Sequence, residues 1–548
     1  MKQQNTAVRT HANEMIDYYF IEGVHYSRKD LQHGRLRVTT NSSDAQVAAS
    51  NSPTEIDAVI QALCEYQFTT AGSKSHTSAL EFHPDQSKPY TFQFVGVLVV
   101  HDYVFYVFPK FVKPTHDSDS KDSDPKIIEP SPAARAFMRQ IIDACNHYRK
   151  RTASGTDDTG ISTHTTTNNV NIAELYRALL ADYVKDGVYR TTMRVWEHNG
   201  NGNIDWERTL NRVDPYFTQQ GAPLYADYWT RGRAVDEEAL VRRIQLAWVA
   251  HVAQQFDASG LLVDVLGFPR ALCAVSRELP TDIGTTSFLR AALIRARNRE
   301  FSTRNRTLIN MLLLLVDTNE KQQLDSRHAV THLGTAPFHT VWEDICSELF
   351  SNTELDEVRE KSKPLWRMQT GTDNAYAEIT ANNQLIPDVI HTMKNPTGEP
   401  GGMVIIDAKY YTPEHDAQSI SGQPGTYDVV KEYFYQLIAD IALQSHGRVL
   451  ANAFMFPAPI AIENDDTLGV CAIQGSVYID ALRQYRLLQR IDKENREHRL
   501  LPIIYAQLNP KTAFCAYVDS RDREHFDSNM ILSALIQYSS KGFPQRDL

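Results

Sequence analysis

Apolar side chains recur at three-to-four spacing over residues 133–148, 172–184, 236–256, 287–297, 304–316, 338–350 and 429–444, the period of helices that bury one face. Runs dense in β-branched and aromatic residues at 90–96, 103–108, 385–393, 403–411, 451–457 and 470–479 read as strands. A short turn at His101-Asp102 makes a hairpin of 90–96 and 103–108, and the Pro/Gly-rich stretch 394–402 joins 385–393 to 403–411. Polar stretches at 114–125 and 152–169 bury too little apolar surface to offset their ordering entropy, and they read as insertions around one helix. The element order predicts a mixed α+β, multidomain chain of the α/β class. It divides into an N-terminal α+β unit (1–112), low-complexity insertions around one helix (113–170), a mainly helical middle (171–330), and a helix-flanked mixed sheet with a C-terminal extension (331–548).

Composition narrows the function classes. A chain of 548 residues, 42% of them hydrophobic, buries a core without staples. The net charge of −11 excludes a uniformly cationic coat, so nucleic acid would have to be held by local basic patches. Six cysteines without CxxC spacing argue against a zinc ribbon or iron–sulfur cluster and fit reduced thiols of the cytoplasm. The longest apolar run, 311–316, is far below the roughly 18–20 residues of a membrane span. There is no GxxxxGK[ST] loop to cradle a nucleotide and no GxSxG. His101, His339 and His391 each stand without a second ligand at metal spacing and read as structural, and Trp206 reads as a packing residue.

Candidate chemistry lies in Pro387-Asp388 and Asp407-Ala408-Lys409. Side chains at i and i+2 of a strand share a face, so Asp407 and Lys409 project together, and the hairpin brings Asp388 beside them. Two hard carboxylate ligands suit Mg²⁺, with Mn²⁺ as a substitute. The adjacent ammonium suits the negative charge that develops when a phosphodiester is hydrolysed. The triplet [DE]-x-K also occurs at 119–121 and 124–126, but in the polar insertion, where no rigid element would hold a site.

This arrangement resembles the PD-(D/E)xK nucleases, in which an acid-bearing helix precedes the hairpin and a second helix follows it. The resemblance implies that Glu343, with Asp344 as its competitor in Val341-Trp-Glu-Asp344, adds a metal or water ligand. It also implies that Gln436, with Tyr435 or Lys431, organises the site or touches the DNA backbone. Further blocks, Phe94-Val-Gly-Val97, Phe108-Pro-Lys110, Gly202-Asn-Ile-Asp-Trp-Glu-Arg-Thr209, Ala222-Pro-Leu-Tyr225 and Asp407-Ala-Lys-Tyr-Tyr411, resemble in their order the LlaJI-type restriction endonucleases, relatives of the McrC nuclease subunit. That similarity implies a bacterial, phage-restricting DNA endonuclease acting with a separate McrB-like AAA+ GTPase. The competing class is a non-catalytic nuclease-fold protein that docks DNA or activates the GTPase; it would show no metal-dependent nicking.

Double-stranded DNA needs cationic contacts. Arg290, Arg295, Arg297, Arg299, Arg304 and Arg306 fall within 17 residues that hold one acid, Glu300, a density suited to phosphates and equally to ion pairs within the fold. A second cluster, 483–499, is interleaved with acids and reads as a solvated helix face.

Overall fold

The computed structural model describes residues 16–32, 53–69, 76–100, 103–113, 131–152, 171–236, 239–324, 330–353, 356–370, 375–380, 385–396, 398–415, 418–442, 447–462, 469–479, 490–491, 497–498, 500–524 and 526–540. The polar insertions, apart from the end of one helix, and His101 lie outside them. The chain clusters into two compact units, Met1–Ser154 with His332–Leu548, and Gly155–Thr331.

The first unit contains two large sheets beside smaller ones. One is four-stranded, in the order β1 (Ile16–Ile21), β3 (Tyr103–Phe108), β2 (Val95–Val100), β4 (Val330–Thr335). β2 and β3 are the arms of the expected hairpin, while Tyr90–Phe92 leaves it to pair with Leu80–Phe82 in a separate small sheet. Every side chain of β3 is buried, which explains its unbroken apolar run. β2 and β4 approach so closely that each needs a glycine: Gly96 and Gly334 have φ of +136° and +137°. A methyl on Gly334 would collide with the Val95 carbonyl and lie 2.7 Å from Gly96 Cα, both backbone. Gly334→Ala is therefore expected to cost about 3 kcal/mol, read from the urea midpoint at unchanged slope.

The second sheet has five strands, ordered β5 (Val389–Lys394), β6 (Pro400–Ala408), β7 (Val449–Pro457), β9 (Ile503–Leu508), β8 (Cys471–Val477). β5 is antiparallel to β6, β6, β7 and β9 run parallel, and β8 is antiparallel to β9. Helices α2 (Phe338–Leu349) and α3 (Thr426–Ala442) flank this mixed sheet, with α4 (Pro510–Val518) and α5 (Ser528–Ser540) following it. β9 comes from what the sequence offered only as a C-terminal extension, yet it lies between β7 and β8.

The segments before 112 and after 331, expected as separate domains, belong to one unit, and their contacts explain why. Val112 bridges Ile460 beyond the end of β7. Phe111 and, from α1 (Pro132–Thr152), Phe137 meet Phe338, Tyr410 and Phe514 in one aromatic cluster with ring centroids 5.5–6.3 Å apart.

The unit Gly155–Thr331 is mainly helical, packed around the helix Leu240–Ala258, whose Ile244, Trp248 and Val252 are fully buried. Beside its helices it carries an antiparallel sheet of Asn203–Ile204, Trp229–Val235 and Thr192–His198. Trp206 is 55% exposed there, against the expected packing role, because the short helix Trp206–Arg212 buries only Thr209. Elsewhere, the solvated helix expected over 483–499 is, where described, a short antiparallel pair of Arg490–Ile491 and Glu497–His498. All six cysteines are free thiols. Among the described residues no helix is long and apolar enough to cross a membrane.

Candidate active site

Strand period and register assemble the centre. On β6, Met403 and Ile405 face α3, where they pack with Tyr435 and Ala439, so Asp407 continues that face and Lys409 extends it just past the strand end. Asp407, the penultimate residue of an otherwise apolar strand, is 2% exposed. Lys409 Nζ lies 2.6 Å from Asp407 Oδ2 and 3.1 Å from Asp428 Oδ1. Asp388, just before β5, accepts a 2.8 Å hydrogen bond from Ala408 N. The three residues read from the sequence are thus neighbours.

Backbone anchors hold them. Asn352 donates to the Asp388 carbonyl at 3.1 Å and accepts from Ile390 N at 2.9 Å, clamping the chain on both sides of residue 389. The Trp342 indole donates to Met455 O at 3.2 Å, the same carbonyl that accepts Lys409 N at 2.9 Å, so α2 is fastened to the sheet at the level of the lysine. Trp342 is fully buried; Trp342→Ala is expected to lower unfolding free energy by about 3–5 kcal/mol in urea titration. Tyr410 donates to Glu22 and accepts from Lys110 N at 3.3 Å, tying the residue after Lys409 to the ends of β1 and β3.

Electrostatics set this cluster apart from ordinary ion pairs. Burial, then the Asp407 and Glu343 carboxylates, push the Asp388 carboxyl up to about 8, and its side chain hydrogen-bonds to Asp407. Burial also raises Glu343, reinforced by Asp407 and opposed by Lys409 and Lys431. For Lys409 burial disfavours the charge, but Asp407 and Asp428 outweigh it and hold the ammonium above the ordinary lysine range. Glu432 on α3 is fully buried and neither carboxylate oxygen has a hydrogen-bond partner. Its pKa is driven well up by burial and by Asp407.

Other expected residues separate cleanly. Asp344 points elsewhere, held by Arg151 Nε at 3.0 Å and by the Tyr517 hydroxyl, so of the two acids on α2 it is Glu343 that is electrostatically coupled to Asp407. Gln436 is buried with Oε1 accepting from Leu501 N at 3.1 Å, which commits that oxygen to the fold. Lys431 Nζ lies 5.2 Å above the Tyr435 ring. His391 Nδ1 is 2.7 Å from Phe350 O, and burial followed by Lys110 lowers His339. In the other unit, Arg304 is taken up by Asp182 at 3.0 Å and by the Gly187 carbonyl, the ion-pair alternative of the two that the sequence left open. Arg290 pairs with Asp317 at 3.4 Å, while Arg295, Arg299 and Arg306 are exposed and Arg297 is half-buried.

A family model described as LlaJI restriction endonuclease matches residues 94–482, a span that includes the whole cluster. The chain belongs to the LlaJI restriction endonuclease family. Membership places it among the nucleases of restriction systems. It is 26% identical over 418 residues to the type II restriction enzyme BsuMI component YdjA of Bacillus subtilis (strain 168), a match that covers 74% of this chain and 82% of that protein. Among solved structures, a half-complex from the tetradecameric assembly of Thermococcus gammatolerans McrB AAA+ hexamers with bound McrC aligns over 89% of this chain and 94% of that one. The identity is 11% and the TM-score 0.33.

Two donors of this family member suit a hard divalent cation. Among the described residues no three His, Cys, Asp or Glu side chains form a ready-made metal cage. Mg²⁺ asks for less, one or two carboxylates with waters and substrate oxygens. Asp388 and Asp407, close enough to hydrogen-bond to each other, meet that demand. Neither oxygen of the nearby Glu432 carboxyl has a hydrogen-bond partner. Asp428 and Glu432 were missed in the sequence. Glu432 carried a signal, an acid on the same helical face as Val429, Tyr433 and Ala439.

Proposed function

We propose that this LlaJI-family chain is the Mg²⁺-dependent DNA endonuclease subunit of a bacterial, phage-restricting system, built on a PD-(D/E)xK site. The observation that carries the reading is the meeting of Asp388, Asp407 and Lys409 at the C-terminal end of β6, with Asp407 buried, Asp388 and Lys409 half-buried, and Lys409 paired to Asp407. Asp388 and Asp407 would hold the cation, which supplies Lewis acidity to a phosphoryl oxygen and a more acidic bound water. Lys409 presents a permanent positive charge where the phosphoryl oxygens gain negative charge, and the low-dielectric surroundings strengthen that interaction. Glu343, from the facing helix, is placed to accept a proton or to orient water, and Gln436 steadies α3 against the start of β9. The exposed Arg295, Arg299 and Arg306 offer phosphate contacts on the helical unit.

An NTP-driven step is assigned to a separate McrB-like AAA+ GTPase. Two features support this: the sequence holds no phosphate-binding loop, and the Bacillus subtilis relative is itself named as one component of a restriction enzyme. Supercoiled plasmid incubated with the chain and its companion GTPase is expected to be nicked or linearised with Mg²⁺ and left intact with EDTA. Cleavage indifferent to EDTA, or no cleavage with every component present, contradicts the proposal.

A further inference from the structure

Lys409 makes two acidic contacts of unequal quality. Its Nζ is 2.6 Å from Asp407 Oδ2, yet in a direction that leaves this oxygen without a hydrogen bond, whereas it donates a hydrogen bond of 3.1 Å to Asp428 Oδ1. Asp428 lies in the first turn of α3, and its other oxygen accepts from Gly425 N at 3.2 Å, which fixes the carboxylate in place. Four residues on, along the same helical face, comes the buried, unbonded Glu432. A carboxylate in the interior with no donor is unfavourable unless some charge reaches it. The cations that act on it are Lys409 and Lys431, and the Lys431 ammonium lies over the Tyr435 ring.

As the chain stands, the Lys409 ammonium is the counter-charge of Asp407. A divalent cation bound to the same carboxylate would repel that ammonium strongly in so buried a place. We propose that Asp428 and Glu432 are positioning residues for Lys409, forming the seat that the ammonium takes when a cation occupies the Asp388–Asp407 pair. The inference rests on the cation-dependent reading above. Its consequence is that the amine remains in the site, oriented by α3, instead of competing with the cation for Asp407 or swinging out to solvent.

The test is a double-mutant cycle in Mn²⁺ affinity, measured by calorimetry on the full chain without DNA, with thermal unfolding of each variant as the check on folding. Asp428→Asn and Glu432→Gln are each expected to weaken Mn²⁺ binding about tenfold. In a Lys409→Met background the same substitutions should change it by less than about twofold, because no ammonium is left to seat. Asp428→Glu should recover most of the affinity. If one variant fails to fold, the other acid still completes a cycle. Equal weakening with and without Lys409 means that the acids act directly on the cation and overturns the inference, as does unchanged affinity in both single variants. A parent chain that binds no Mn²⁺ at all refutes the cation reading itself and this inference with it, a result distinct from a flat cycle.

Discussion

Asp407→Asn and Lys409→Met should each reduce plasmid cleavage by on the order of 10³-fold while leaving the circular dichroism spectrum and DNA retention near those of the parent. The effect is large because the proposal puts both side chains at the reacting centre, where Asp407 is 2% exposed and the Lys409 ammonium lies 2.6 Å from it. Asn keeps the shape of the carboxylate and removes only its charge, so a loss of cutting reports chemistry and not collapse. Met keeps the aliphatic stem of the lysine. Its removal leaves Asp407 next to the protonated Asp388 carboxyl, with which it already hydrogen-bonds, so the fold tolerates the change better than an isolated buried carboxylate would. Asp344→Asn serves as contrast. Its carboxylate is bound to Arg151 and Tyr517, and cleavage is expected to stay within a few-fold of the parent.

Asp388→Asn is expected to do two opposite things, abolishing cleavage and stabilising the cation-free chain at alkaline pH. Burial, with Asp407 and Glu343 close by, raises the Asp388 carboxyl to about 8 from an ordinary value near 3.8. An acid whose folded pKa lies above its unfolded one contributes stability that is fully present below about pH 4 and is lost as pH rises through about 8, because ionisation is easier in the unfolded chain. Asn cannot ionise. Its amide oxygen still accepts from Ala408 N and its NH₂ still donates to Asp407. In EDTA, Asp388→Asn should therefore be more stable than the parent by on the order of 1–3 kcal/mol at pH 8.5, with the difference vanishing near pH 4. A variant that is less stable at pH 8.5 would show that the carboxylate is welcome there without a cation. Groups poised for chemistry commonly cost stability in this way.

How much of this was legible in the sequence follows from the range of the forces involved. Asp388, Asp407 and Lys409 could be placed together because a strand has a period of two and a hairpin fixes which residues face each other across it. The helices α2 and α3 were legible from apolar spacing, and so was the mixed, helix-flanked sheet. Asp428 fell just outside the helix read as 429–444, because its carboxylate works in the first turn, where apolar period gives no signal. Glu432 was masked by Gln436 on the same face, since both break the apolar stripe and only the structure says which oxygen is bonded. The position of β9 between β7 and β8, and the joining of the chain before Ser154 to that after His332, depend on contacts hundreds of residues apart and leave no local pattern. The arginine run illustrates the converse. Density of charge was visible, but Arg304 belongs to Asp182 and Gly187, a pairing that only tertiary structure reveals.

The most direct measurement of the central claim is anomalous diffraction from crystals of the chain soaked in Mn²⁺. The account predicts a peak within coordinating distance of both Asp388 and Asp407 in the parent, absent in Asp407→Asn. A peak held by other residues, or none at saturating Mn²⁺, would contradict it.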